Sequence, residues 1–262
     1  MGAFKSKSGY VANAWRILDF SHWYLDRDPA CDVYTGIAGQ FIPTAHTTIN
    51  TIPDIVTIVA SSYFQPIADL MESLLKTEPP EPVARGTTHR ENGYAASITI
   101  LLVAVLESYV SRLKFVRNQE IAASQSVPDL LAKLFPDLPN KNDLIEIFIL
   151  RNIVVHNHVW HLDVSDADDD AKTIKSPIEL GFSVNKQYQA AVDPGARRTR
   201  LLALNANPTA VDRYDVKRVF EVVWKTLLFM NSKDFSHTPL AGRTVAFRRQ
   251  RISFEFLPTY IS

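Results

Sequence analysis

Residues 144–156 read Leu144-Ile145-Glu146-Ile147-Phe148-Ile149-Leu150-Arg151-Asn152-Ile153-Val154-Val155-His156. The first seven residues of this stretch read as a buried apolar helix. Arg151, Asn152 and His156 follow directly, and such groups are costly to bury without partners. Arginine keeps its charge at any physiological pH, whereas histidine exchanges a proton near neutrality. A fixed cation beside a titratable imidazole is a minimal set of groups for handling a phosphate. The stretch therefore points to a helical protein and marks its candidate functional site.

Two further segments have helical periodicity. From about Tyr94 to Phe115, Leu102, Leu106, Tyr109 and Leu113 recur at steps of four, three and four, with Glu107, Ser111 and Lys114 on the other side. From about Ala210 to Asn231, Val216, Val219, Phe220, Val223, Leu227 and Met230 form one stripe. Thr209 and Asp212 read as its capping pair, with Pro208 at the boundary. The motif helix is expected over 142–159, and a short helix, Pro128–Leu134, lies between the first two. Towards the N-terminus, Val11–Phe20 has helical character. A further stretch runs from Thr51 to about Lys76, where Pro66 should kink or divide it. Strand-like alternation is confined to Ile178, Leu180, Phe182 and Val184, and to Ile252, Phe254 and Phe256.

The expected architecture is mainly α with a small β element. Thr77-Glu78-Pro79-Pro80-Glu81-Pro82 reads as an extended connector. It would close an N-terminal helical extension (1–82) and open a helical bundle (83–235) with an inserted loop and strand region at about 163–208. A basic, strand-like tail occupies 236–262. Asp163–Asp170, with five aspartates in eight residues, reads as a solvated loop.

Bulk composition narrows the function classes. The chain has 262 residues, 46% of them hydrophobic, enough for a sizeable core. Lys+Arg and Asp+Glu are both 28, so net charge gives no steering towards polyanions. Cys31 stands alone, which excludes an internal disulfide and a cysteine metal cluster and suits a reducing cytoplasm, the expected location. The longest apolar run, Ile98–Leu106, is shorter than the ~20 residues of a membrane span, so no membrane association is expected.

Arg151-Asn152-x-x-x-His156 resembles the signature of the HEPN superfamily, an Arg, often followed by a polar residue, then a His after four to six others. The resemblance covers about Tyr94 to His161, with the helix at Ala210–Asn231 a further candidate part. It implies a HEPN-like helical bundle that dimerises through the motif face. Many such proteins are metal-independent ribonucleases of toxin–antitoxin, antiviral defence or RNA-processing systems, and others are non-catalytic binding modules. The implied partners are RNA, a second copy of the chain, and a protein such as an antitoxin. No cofactor is expected.

Helix geometry bears on that picture. At ~100° per residue, Asn152 and His156 share a face, whereas Arg151 and His156 diverge by roughly 140°. One helix does not aim both at one phosphate, but two helices crossing about a two-fold axis could. His158, seven residues after Arg151, is the alternative histidine, and Asn152 at i,i+4 favours His156. In the enzymatic reading His156 moves the proton of a ribose 2′-OH or of the leaving oxygen, Arg151 stabilises charge on the phosphate, and Asn152 orients either. In the structural reading Arg151 and His156 form a polar helix seam, satisfied by a carboxylate such as Glu107.

Other constellations carry less. His156, His158 and His161 do not converge on one helical face, and HExxH is absent, so no metal is expected. Asp166-x-Asp168-x-Asp170 fails as a calcium loop because Ala171 and Pro177 replace its Gly and Glu. From Asp193 onward, twelve Lys/Arg face six Asp/Glu, with clusters at Arg197-Arg198-x-Arg200 and Arg248-Arg249-x-Arg251. These are either RNA-backbone contacts or solvated strand edges.

Overall fold

The computed structural model describes residues 59–79, 88–117, 125–156, 186–240 and 242–262, and the backbone of 161–163 and 173–175. The chain divides into two compact units, and all described residues belong to the second, Pro53–Ser262. Val11–Phe20, the alternation at 178–184 and the aspartate run after Asp163 lie outside them, as does His158.

Described residues are mainly helical. Helices α1 (Phe64–Leu74), α2 (His89–Val116), α3 (Val127–Leu134), α4 (Lys141–His156), α5 (Lys186–Ala191) and α6 (Arg213–Lys233) are joined by three antiparallel two-stranded ladders. These pair β1 (His161–Asp163) with β2 (Thr173–Lys175), β3 (Val192–Asp193) with β4 (Arg198–Thr199), and β5 (Thr244–Phe247) with β6 (Gln250–Ser253).

Helix α2 is the axis of the core, packing on α1, α3, α4 and α6. Ile98, Leu102, Leu106, Tyr109 and Leu113 are buried along it. By length and composition α2 could cross a membrane, and half of its most apolar window is buried inside the protein. It begins five residues before the apolar periodicity, at the N-cap Thr88, whose Oγ1 accepts from the Glu91 N–H (3.2 Å). Helix α6 runs parallel to α2, since Arg213 meets Glu91 at one end and Arg117 meets Asp234 at the other (2.7 Å).

Several local expectations need correction. Thr209 does not cap α6. It sits in a 3₁₀ turn, Pro208–Ala210, and Asp212 is the N-cap, in a capping box with Asp215. Within the described part of the Thr51–Lys76 stretch, Pro66 stands just past a division into 3₁₀ helix (Ala60–Tyr63) and α1. It lies in the first turn, where its missing N–H leaves no bond unmade. The alternation at 252–256 is strand only to Ser253, after which Phe254–Tyr260 is 3₁₀ helix. Phe254 turns into the core there, stacked on Phe64 (4.3 Å between ring centroids) and close to Phe220 (4.8 Å). The C-terminal segment thus seals the core between α1 and α6.

The connector at 77–79 joins helices of one core, because Phe64, Ile67, Met71 and Leu74 of α1 pack with the α2 and α6 residues. A buried ion pair fixes this junction. Glu91 is fully buried and Arg213 is 5% exposed. Arg213 Nε donates to Glu91 Oε1 (2.8 Å) and its Nη2 to Oε2, while its backbone N–H also reaches Oε1 (3.1 Å). Nη2 also donates to the Thr77 carbonyl (3.0 Å), which ties in the end of α1. Burial pushes the Glu91 carboxyl up, but hydrogen bonds from Arg213 and Thr77 outweigh it and hold the group below its ordinary range.

Beside this pair, Asp215 is buried and accepts from Asn205 Nδ2 (2.7 Å) and from the Asn205 and Asp212 N–H groups (3.0 Å each). Burial and then the neighbouring Asp212 charge push its carboxyl up to about 6.

Replacing Glu91 with Ala leaves a buried guanidinium without its counter-charge, and urea unfolding should show a loss of about 3–5 kcal/mol. Asp215 works in the opposite sense with pH. Its raised carboxyl holds a proton more tightly when folded, so its contribution is complete below about 3.8 and is lost as pH rises through about 6. Relative to Asp215→Asn, the wild type should lose stability over that interval. An unchanged difference between the two would refute the assignment.

Candidate functional site

Helix α4 starts after Pro139-Asn140, where Asn140 Nδ2 donates to Thr226 Oγ1 of α6 (2.7 Å). Leu144, Glu146, Ile147, Ile149, Leu150 and Ile153 are buried. Phe148, Arg151, Asn152 and Val155 follow one another at i, i+3, i+4 and i+7, which puts them on one face, and none of them is buried. Val155 is 47% exposed.

The Arg151 side chain is 23% exposed and that of Glu107 35%. Arg151 Nη2 pairs with Glu107 Oε1 across to α2, and Nη1 donates to Asn152 Oδ1 (3.0 Å). The guanidinium also lies over the Phe148 ring, 5.6 Å from its centroid. The i,i+3 spacing of Phe148 and Arg151 is the sequence signal for this contact. Three contacts hold the guanidinium in place while part of it stays open to solvent. These two hydrogen bonds use two of its five N–H donors.

His156 is exposed at the end of α4, about 7.5 Å further along the axis. The structure therefore brings Arg151, Asn152 and Glu107 together within one chain, with His156 one helical turn beyond Asn152 on the same face.

The arginine clusters lie elsewhere. Arg197, Arg198 and Arg200 are exposed on and beside the β3–β4 ladder. Val192 of β3 packs with Ile149 and Ile153 of α4. Each of those lies two residues from Arg151, so they point roughly 160° away from it. Arg248 and Arg249 form the β5–β6 turn and Arg251 follows on β6. This hairpin is held on α1, where Gln65 Oε1 accepts from the Ala246 N–H (2.8 Å) and Nε2 donates to the Ala246 carbonyl (2.9 Å).

Buried Glu146 could be mistaken for a catalytic carboxylate. Its two oxygens accept from the backbone N–H groups of Leu201 and Leu202 (2.8 Å each), which fixes the loop after β4. Among the described residues no three His, Cys, Asp or Glu side chains gather as metal ligands.

No protein-family model matches the chain, and no curated protein or solved structure matches it.

Because the Arg151–Glu107 pair is partly exposed, its loss should cost little. Glu107→Ala is expected to lower the unfolding free energy by less than about 1 kcal/mol, far less than Glu91→Ala. A loss of several kcal/mol in urea titrations would make Arg151 a structural residue.

Proposed function

We propose that the protein is a metal-independent endoribonuclease of HEPN type, acting as a homodimer. The observation that carries this reading is an anchored but partly exposed Arg151–Asn152 pair on the same helix as an exposed His156, within a helical bundle. Arg151 offers unused N–H donors to a scissile phosphate, and Asn152 fixes the guanidinium plane. His156 removes the proton of a ribose 2′-OH, or returns one to the departing 5′-oxygen. The 2′-oxygen attacks phosphorus and the P–O5′ bond breaks, leaving a 2′,3′-cyclic phosphate and a 5′-hydroxyl. The angle between Arg151 and His156 favours a cleft in which one protomer supplies the arginine and its partner the histidine. A cytoplasmic role in defence or toxin-like growth control fits such chemistry.

A second reading is a non-catalytic HEPN-like module that dimerises or holds a partner protein. The Glu107 contact favours it, since a paired Arg151 has less need of a phosphate.

Incubating RNA with the wild type and with His156→Ala, both in EDTA, separates the two. The first reading expects cleavage by the wild type, with cyclic-phosphate ends, and a loss of at least about a hundredfold in the variant. Equal cleavage by both proteins, or none by either, would leave only the binding module. DNA should stay intact because it lacks the 2′-OH.

A further inference from the structure

The β5–β6 ladder pairs Phe247 with Gln250, so Arg248 and Arg249 alone make the turn. Both have positive φ, 49° and 64°. A two-residue turn of this kind is the usual place for Asn-Gly, because side chains with a Cβ are strained there. Arg248 has compensation, since its guanidinium lies over the rings of Phe247 (5.5 Å) and Tyr260 (5.3 Å) and its N–H donates to Glu72 Oε2 (3.1 Å). Packing gives no comparable reason for an arginine at 249, which is exposed. Strain retained at an exposed cationic position points to a ligand.

Two successive contacts link the turn to a cavity. Glu72, which receives the Arg248 N–H, also pairs with Lys76 (3.0 Å). Lys76 lines a cavity of about 550 Å³ between the end of α1 and the start of α2, with His89, Arg90, Ser73, Thr88 and Tyr94. Glu78 is the single acid among its described lining residues. Hydroxyls and cations around a space of this size suit a nucleotide phosphate.

The cavity is also aligned with the candidate site. His89 and Glu107 are eighteen residues apart on α2, five turns, so they face the same way about 27 Å apart. Between them on that face lie Gly93, Ala96, Ile100 and Ala104, none of them buried. A Cβ added at Gly93 would meet open space.

We propose that single-stranded RNA lies on one track from the Arg248–Arg249 turn, across the Lys76–His89–Arg90 cavity, and along α2 to Glu107 and Arg151. The inference rests on RNA being the substrate. Lys76, Arg90 and Arg249 hold phosphates, and the small side chains of Ala96 and Ala104, with Gly93, let the strand approach the helix.

The test is fluorescence anisotropy with a labelled oligouridylate of about twelve nucleotides, in EDTA, with the full chain. Arg249→Gly, Arg90→Gln and Gly93→Glu, made singly, should each weaken binding several-fold. The two cation losses should each reduce the slope of log K against log salt by about 0.7. Arg249→Gly should also raise the melting temperature by about 2–4 °C, since it removes strain. Gly93→Glu should not lower it, because glutamate is the better helix former and a side chain there meets open space. Stability changes of this kind with unchanged affinity would overturn the track. So would loss of binding on only one of the two cation substitutions. Cleavage is scored separately. Track-dependent binding without cleavage would sink the ribonuclease reading alone, and cleavage with binding indifferent to all three substitutions would sink the track alone.

Discussion

The buried pair between Glu91 and Arg213 is the constraint on which the bundle depends. It joins the start of α2 to the start of α6 and, through Thr77, to the end of α1. A guanidinium and a carboxylate removed from water are tolerable only when nearly every donor and lone pair is used. Here the backbone N–H of Arg213 and the Thr77 hydroxyl supply further bonds to the Glu91 carboxylate. That demand sets the relative position of three helix ends more tightly than apolar contact could, because hydrogen bonds are directional and burial is not.

Comparing Arg213 with Arg151 shows what burial does to the same side chain. Both pair with a glutamate on α2. Arg213 is enclosed and its Nε and Nη2 donors are spent on Glu91 and Thr77, so it is a structural cation. Arg151 stands at the edge of α4 beside Phe148 and keeps solvent access. Water screens its pair with Glu107, so an incoming phosphate could compete for the guanidinium at modest cost. The difference lies in depth, and it decides which arginine can meet a ligand.

Periodicity made the helices legible. Spacing and apolar runs placed α2, α3 and α6 to within about five residues and the start of α4 to within about one, because each helix buries apolar side chains in the core. The start of α2 was less visible, since His89, Arg90 and Asn92 are polar and the stripe fades there. The Thr88-x-x-Glu91 pattern was a readable start signal. Its glutamate serves Arg213 instead of returning to the cap. The hairpins were harder to read. Arg248-Arg249 carries no turn signal, and β5 is placed by the Gln65 amide from 181 positions away. Phe254 reads as a strand residue by alternation, yet its burial between α1 and α6 is met by a 3₁₀ helix.

By itself the sequence determined the helical class, the approximate helix limits, and the hexapeptide Arg151–His156 with Glu107 as a possible counter-ion. These follow from local rules, in which spacing along one chain fixes direction around one helix. Tertiary structure alone decided that Glu146 and Asp215 are buried and satisfied, that Arg213 is spent inside the core, and that the two arginine clusters lie away from Arg151. Those outcomes depend on which groups distant segments bring within about 3 Å of each other, and no spacing in one segment encodes that.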